Sequence, residues 1–440
     1  MGKKGRRVNL KKITLSLSVL FLFASSDLMA ATREIKIGVI LPLSGPLALI
    51  GRALREGAEL AADMVNTKYP GTGISIAEWE GIPGMGGAKI KLIFADSRGD
   101  PGWGANQAKR LIKEEKVVGL VGAFQSSVTK TASAEAERAG IPFINPDSIS
   151  PALSKRGFKW FWRVTPHESR FAADLFDFLD GLVAGKLPMV EPVSKDRLET
   201  LAVALENTGW GVEALKDIEK FAAERKYKII ESFKYPHKAT DLSGESRRMA
   251  ASKAACYLFA SHVADAIQFV KTLKEMKASP LVIWGQHAGF VAPDFSKTLG
   301  EDVIGIVSQD FFWPVLDKAK PEVVKINKVF KDKTGYDFNG NSARNFTGIQ
   351  VFAHVLNIAG STEPNIIQKA LNELHIPGKD LIMPWRGVQF GSPFPGDIQQ
   401  NELGGGVIVQ YQGYPNGKPE IVYPFELATN KLIFPFPGWK

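Results

Sequence analysis

The chain has 440 residues, of which 45% are hydrophobic, so it can bury a large core and fold into two or three domains. Its formal charge is +9, but residues 1–30 carry +5 of this and leave only +4 on the remainder. Because that surplus is small and its basic residues are dispersed, composition argues against a nucleic-acid-binding protein.

The first thirty residues have the pattern of a secretory signal peptide. Six basic side chains precede an apolar run of about a dozen residues at 13–24, and small residues follow up to Ala30. A membrane span needs about 20 apolar residues, so an anchor fits less well. The pair Arg6 and Arg7 leaves a twin-arginine signal open beside the general secretory route. We expect cleavage near Ala30 and a mature protein in the periplasm.

Strand and helix patterns alternate in the next part of the chain. Short apolar runs predict buried strands at 35–41, 90–95, 117–124 and 141–144. Between the first two, apolar residues of 51–66 recur at the spacing of one helix face. This alternation predicts a parallel sheet with right-handed crossovers.

The alternation then restarts as a second unit of similar size. Further buried strands are predicted at 201–207, 228–233, 254–260 and 281–285. Helices are predicted at about 167–182, 321–333 and 343–359. The tail, rich in Gly, Pro and aromatic residues, predicts a hairpin of 407–412 and 421–424 with a turn at Asn416-Gly417. The predicted fold class is α/β, with two units.

Hydroxyl-bearing residues follow two neighbouring strands of the first unit. Ser126 and Ser127 come after the strand at 117–124, and Ser148 and Ser150 follow the next strand. Ligands of parallel sheets bind at the carboxyl ends of the strands, where helix N-termini offer free N–H groups. A serine at such a position either caps the helix or binds a ligand anion, and the residues alone leave both roles open.

Sequence motifs for catalysis and metal binding are missing from the chain. It has no G-x-x-x-x-G-K-[ST] loop, no G-x-S-x-G elbow and no H-E-x-x-H pair, and its six histidines lack metal-ligand spacing. The only cysteine, Cys256, lies in an apolar run and is expected to be a packing residue. We therefore expect no enzyme, no metal and no cofactor.

Several motifs, taken in their order along the chain, resemble one family. They are IKIGVILPLSGPLALIG, DSRGDP, LVGAFQSSVTKTASAEAERAGIPFINPDSISPALSKRG, FWRVTP, ALENTGWG and VIVQYQGYPNGKPEIVYP. With them the chain resembles the extracytoplasmic solute-binding proteins of branched-chain amino acid-type ABC transporters, the Leu/Ile/Val-binding class. The resemblance covers essentially the whole mature chain.

This resemblance implies the type I periplasmic binding protein fold, in which two doubly wound parallel-sheet lobes are joined by a hinge around a central ligand cleft. The first lobe would comprise residues 31–166 and about 312–388, and the second 167–311 and about 389–440. Closure of the lobes would trap a small-molecule ligand. The implied partner is an inner-membrane ABC permease, and the protein is expected to be a monomer that binds no nucleic acid.

The resemblance also implies roles for particular residues. In the family, a serine at the head of the helix after the third strand receives the ligand's carboxylate, a role that falls on Ser126, with Ser127 beside it. Other family positions imply further contacts from the loop after the fourth strand, from the side-chain pocket and from an aromatic residue that closes on the ligand: Asp147, Ser148, Ile149, Ser150, Leu49, Ile50 and Trp210. We add His262, after the third strand of the second unit, as a further candidate contact.

One departure from the family concerns the ligand's α-ammonium. Amino acid binders usually place an acidic residue after the fourth strand of the second unit, whereas this chain has Gln286 and His287 there. A buried ammonium without a carboxylate is costly. Either another acid takes this role, or the ligand is an aromatic, aliphatic or amide-like acid. The candidate acids are Glu206, Asp147 and Asp265.

The leading hypothesis is a periplasmic receptor that captures a small carboxylate-bearing solute, an amino acid or a related organic acid or amide, for import. The same fold could instead serve as the ligand-sensing subunit of a membrane signalling receptor. An exported α/β hydrolase is a third possibility, against which the missing nucleophile motif argues.

Overall fold

The computed structural model describes residues 1–2, 33–185, 191–236, 239–413 and 417–439. The expected signal peptide and Asn416 of the expected hairpin turn lie outside these residues. Numbered along the chain, the strands are β1 (Glu34–Leu41), β2 (Lys89–Asp96), β3 (Leu120–Gly122), β4 (Phe143–Asn145), β5 (Phe161–Arg163), β6 (Thr200–Glu206), β7 (Lys228–Tyr235), β8 (Cys256–Ala260), β9 (Val282–Gly285), β10 (Val307–Asp310), β11 (Ile376–Pro377), β12 (Gly387–Val388), β13 (Phe390–Gly391), β14 (Gln400–Asn401), β15 (Val407–Gln412) and β16 (Lys418–Tyr423).

The helices are numbered in the same way. They are α1 (Ala48–Asn66), α2 (Pro101–Lys113), α3 (Ser126–Ala139), α4 (Glu168–Val183), α5 (Lys195–Leu198), α6 (Gly209–Arg225), α7 (Ser243–Ser252), α8 (Val263–Glu275), α9 (Pro293–Leu299), α10 (Pro321–Thr334), α11 (Gly340–Ala359) and α12 (Pro364–Asn372). In the described ranges, none of them combines the length and hydrophobicity that a membrane span requires.

The strands form two seven-stranded sheets. The first has the order β13-β14-β5-β4-β3-β1-β2, and the second has the order β16-β15-β10-β9-β8-β6-β7. Within them β1 to β5 pair in parallel, as do β6 to β10, while β15 and β16 add an antiparallel hairpin to the second sheet. The predicted α/β fold class with two parallel-sheet units is confirmed.

Close packing of two helices holds the core of the first lobe. Helix α1 buries Leu54, Ala58 and Ala61 on one face. A Cβ added at Gly57 would lie only 2.1 Å from the backbone oxygen of Ser342. The backbones of α1 and α11 are therefore in direct contact at this point, with no room for a side chain between them. Helix α11 is buried over most of its circumference, as expected of a core helix.

The chain passes between the two sheets three times within the described residues, after β5, after β10 and between β14 and β15. The last crossing comes later than the sequence predicts. Residues from about 389 were expected in the second lobe, but β13 and β14 pair with the first sheet, so that boundary moves beyond Asn401. These two-residue strands carry no apolar run, and periodicity therefore could not assign them.

Lys320, directly before α10, is a buried cation that holds a loop of the first lobe. Its Nζ donates to three backbone oxygens, those of Gly378 at 2.9 Å, Met383 at 2.9 Å and Leu381. The carboxylate of Glu322 lies 3.6 Å away. Burial lowers the pKa of Lys320, and the Glu322 carboxylate opposes that shift.

Replacement of Lys320 by methionine tests this role. Lys320→Met leaves the buried carbonyl groups of Leu381 and Met383 without this donor, whereas the Gly378 carbonyl keeps a hydrogen bond from the Leu381 N–H. We therefore expect the free energy of unfolding to fall by about 3 kcal/mol. The control is Lys328→Met on α10, whose exposed side chain pairs with Asp332 four residues on. It should change stability by less than about 0.5 kcal/mol. Equal denaturant midpoints for the two variants would contradict the role of Lys320.

His167 lies on the first crossing and caps α4. Its Nε2 is 2.9 Å from Oδ2 of Asp397, and its Nδ1 accepts a hydrogen bond from the backbone N–H of Ser169 at 3.2 Å. Burial, together with the nearby Arg163 cation, lowers the pKa of His167 to about 4. The imidazole is therefore neutral in the folded protein at neutral pH.

This neutral histidine predicts a pH dependence of stability. In the unfolded chain His167 binds a proton near pH 6.5, whereas in the folded protein it does so only near pH 4. The contribution of His167 to the free energy of unfolding is therefore complete above pH 6.5 and is lost as the pH falls toward 4. We expect His167→Gln to lower the slope of unfolding free energy against pH in this window. His375→Gln, at an exposed site, should keep the parental slope. Parallel curves for all three proteins would rule out this role of His167.

Candidate functional site

A cavity of about 550 Å³ lies where loops of the two lobes meet. These loops follow strands β3 and β4 of the first sheet and β6, β8 and β9 of the second, and Glu168 comes from the crossing after β5. The lining residues are Ser126, Ile149, Ser150, Glu168, Thr208, Trp210, Glu213, His262, His287 and Ala288. Because all five strands are parallel and end here, the cavity lies at the position expected for a ligand site.

Only one of the two expected serines lines the cavity. Helix α3 begins at Ser126, and the residue before it, Gln125, makes no capping bond with its side chain. Ser126 and Ser127 are therefore the first two residues of the helix. The Ser126 hydroxyl accepts a hydrogen bond from the backbone N–H of Ser150 at 3.3 Å, whereas Ser127 is exposed and outside the lining. The first N–H groups of this helix have no partner within the helix.

The loop after β4 is held by buried polar groups. Asn145 accepts hydrogen bonds on Oδ1 from the N–H groups of Asp147 at 2.9 Å and Ser148 at 2.8 Å. The Ser148 hydroxyl lies 2.5 Å from that of Thr129 and donates to the carbonyl of Phe124 at 2.9 Å. Ser148, an expected ligand contact, is thus buried in the first lobe and does not line the cavity.

Asp147 also faces the interior of the first lobe. Both of its carboxylate oxygens accept hydrogen bonds from the Asn345 side chain, at 2.9 and 2.8 Å, and its carbonyl accepts one from Arg344. Burial raises the pKa of Asp147 to about 6, against the opposing effect of Arg344. The Asp147 carboxylate therefore binds the side chain of Asn345 on α11 and does not face a ligand ammonium.

Ser150 contacts residues of both lobes, which form the two walls of the cavity. Its N–H is bonded to Ser126, and its carbonyl accepts a hydrogen bond from Arg163 at 2.6 Å. Its hydroxyl faces Glu213 on α6, which belongs to the second lobe, and lowers the pKa of that carboxyl. Of the two expected serines in this loop, Ser150 therefore lines the cavity and Ser148 does not.

Trp210 forms the aromatic part of the second wall, in the first turn of α6. Thr208 caps this helix by accepting a hydrogen bond from Gly211 at 3.4 Å. The Trp210 ring lies 5.5 Å from the ring of His262 and 5.2 Å from that of His287. Three residues expected at the ligand therefore come together here.

Glu168 is an acidic residue of the site that the sequence analysis did not identify. Gln286 and His287 contact its carboxylate. Its Oε1 accepts a hydrogen bond from Gln286 at 2.7 Å, and its Oε2 lies 3.4 Å from Nε2 of His287. Its backbone N–H donates to Ile149 at 3.1 Å. His287 has φ +31° and ψ −137°, a conformation that a surrounding structure must impose. Glu168 is the first residue of α4, where an acid is common because of the helix dipole, so nothing in the sequence marked it.

The other candidate acids of the sequence do not line the cavity. Glu206 is fully buried, with Oε2 3.2 Å from Nε2 of His262, and Asp265 is buried in the first turn of α8. The acids of the lining are instead Glu168 and Glu213. Partial burial raises the pKa of the Glu213 carboxyl, as does the charge of Glu168, whereas the Ser150 hydroxyl lowers it.

The expected side-chain pocket near the start of α1 is not part of the cavity. Ile50 is half-buried and packs against the first core, and Leu49 is 83% exposed. Neither residue belongs to the lining. For the parts of the chain that the structure describes, no group of three or more His, Cys, Asp or Glu residues could hold a metal ion.

Removal of the Ser148 hydroxyl separates a structural role from a binding role. Ser148→Ala breaks two buried hydrogen bonds, so we expect a loss of about 1–3 kcal/mol in unfolding free energy, measured by denaturant titration. Solute affinity should change less than in Ser126→Ala. A variant with parental stability and strongly reduced affinity would instead make Ser148 a ligand contact.

Comparisons with known proteins agree with this geometry. A sequence model of the periplasmic binding protein family matches residues 34–392. The Leu/Ile/Val-binding protein homolog 7 of Brucella suis is 27% identical over 430 residues, which cover 97% of this chain and 100% of that protein.

Solved structures share the fold. An ABC transporter substrate-binding protein from Sphaerobacter thermophilus superposes with a TM-score of 0.70 at 17% identity, covering 92% of this chain and 99% of that one. A branched-chain amino acid transporter substrate binding protein from Streptococcus pneumoniae, in complex with isoleucine, gives 0.63 at 20% identity, covering 92% and 100%. These findings confirm the resemblance drawn from the motifs: the chain belongs to the periplasmic binding protein family.

Proposed function

We propose that this chain is the periplasmic receptor of an ABC importer, which captures a small carboxylate-bearing solute between its lobes and delivers it to an inner-membrane permease. The observation that carries the proposal is the cavity between the lobes, with Ser126 and Ser150 on one wall and Trp210 on the other. Support also comes from relatives named Leu/Ile/Val-binding protein homologs.

The first-lobe wall has the groups that bind a carboxylate. Helix α3 has 14 residues, and its first N–H groups have no partner within the helix. The positive end of the helix dipole favours an anion at this point. The Ser126 hydroxyl, which accepts the Ser150 N–H, keeps its own hydrogen to donate to the same anion, so the carboxylate would exchange water for charge-assisted hydrogen bonds.

The second-lobe wall supplies a face for the rest of the solute. The Trp210 ring is a large, rigid surface, and Ile149 lies across the cavity on the first lobe. Because a solute would contact both walls, it would bind an arrangement with the lobes together more tightly than one with the lobes apart. Binding would therefore shift the population toward closure about the three crossings.

Calorimetric titration of the purified protein tests the proposed receptor. The panel comprises amino acids, their deaminated acids, aromatic acids and amides. For the best-binding carboxylate, we expect Ser126→Ala to weaken affinity about tenfold or more, since a hydrogen bond to a charged group contributes about 1.5–3 kcal/mol.

Ser127→Ala is the matched control, because Ser127 is the next residue of the same helix and lies outside the lining. It should bind within about twofold of the parent, as expected for a site that loses no contact. Parental affinity in Ser126→Ala would contradict the carboxylate site, and failure of every carboxylate in the panel to bind would contradict the receptor.

A further inference from the structure

The charged side chains of the cavity lining are both carboxylates, Glu168 and Glu213, and the lining contains no lysine or arginine. Its two imidazoles already face acids, His287 at 3.4 Å from Glu168 and His262 at 3.2 Å from Glu206. A solute with a carboxylate and no cation would bring a third negative charge into this partly desolvated space. Like charges at such short range raise the free energy of the complex.

Glu213 is placed to receive a cation. Its carboxylate is half-buried and faces the Ser150 hydroxyl. None of the ion pairs formed by the described residues involves Glu213, unlike Glu168 with its imidazole partner. Lys216, three residues along α6, is exposed and lies outside the lining. The charged form of a half-buried carboxylate is stabilised by a positive group that enters with the solute.

The aromatic part of the lining can also stabilise a cationic group. Trp210 presents an aromatic ring to the cavity, and a cation over an indole ring is stabilised by its quadrupole. The apolar residues that would hold a branched side chain, Leu49 and Ile50, are outside the lining. Ile149 and Ala288 are the other apolar residues in it.

We infer that the solute is cationic overall: a monocarboxylate with two basic nitrogens, one held by Glu168 near the carboxylate site and the other by Glu213 beside Trp210. This inference rests on the proposed function, because it takes the carboxylate site at Ser126 as given. Gln286 and His287 would fix the Glu168 carboxylate toward the first nitrogen.

A matched pair of probes tests the second nitrogen. L-Lysine and L-norleucine share the α-carboxylate, the α-ammonium and the four-carbon side chain, and differ in the terminal ammonium, which is charged at pH 7. In calorimetric titrations at pH 7, we expect lysine to bind at least about tenfold more tightly than norleucine. Glu213→Gln should remove this preference by weakening lysine alone.

Glu219→Gln is the control for the charge change, since Glu219 is exposed on the same helix α6. It should retain the preference for lysine. If Glu213→Gln fails to fold, as judged by its circular dichroism spectrum, the lysine-to-norleucine affinity ratio of the parent protein still decides the question.

Three outcomes overturn the inference. If norleucine, or any panel acid without a second basic nitrogen, binds more tightly than lysine, ornithine and arginine, the inference is wrong and the receptor proposal stands. A lysine preference that survives Glu213→Gln removes the assignment to Glu213. If no carboxylate binds at all, the proposed function fails and the inference fails with it.

Discussion

Parallel pairing of the strands in both sheets is the constraint on which the site depends. Parallel strands end at one edge of their sheet, so the loops after β3, β4, β6, β8 and β9 must gather at the two facing edges. Three crossings of the chain keep these edges opposite each other. The cavity is therefore a consequence of topology, and its chemistry is left to the few loop residues that line it.

Those loop residues are positioned by polar groups that a ligand never contacts. Ser148 and Asp147 bind inward to the first lobe, which leaves Ile149 and Ser150 facing the cavity. Arg163 donates a hydrogen bond to the carbonyl of Ser150. On the second lobe, Gln286 does the same for Glu168. Each wall thus combines buried, fully bonded side chains with a small number of groups left for the solute.

Local patterns predicted much of the fold and part of the site. Apolar runs located eight of the ten parallel strands because such strands are buried on both faces, and the strand ends located Ser126 and Trp210. The short strands β5 and β10 were not predicted. Sequence could not tell that Asp147 faces inward, because its partner Asn345 lies about 200 residues later in the chain. Glu168 was missed since an acid at a helix start has an ordinary explanation. The expected acid after β9 is replaced by one from α4, brought there by the first crossing.

The central claim is that the cavity holds a carboxylate-bearing solute between the two lobes. The most direct measurement is mass spectrometry of small molecules released by denaturing protein that was purified from its native host under mild conditions. A single bound compound with a carboxylate and basic nitrogen, released in about equimolar amount, is the predicted result, since one cavity of this size holds one small solute. A bound compound that lacks a carboxylate would contradict the claim.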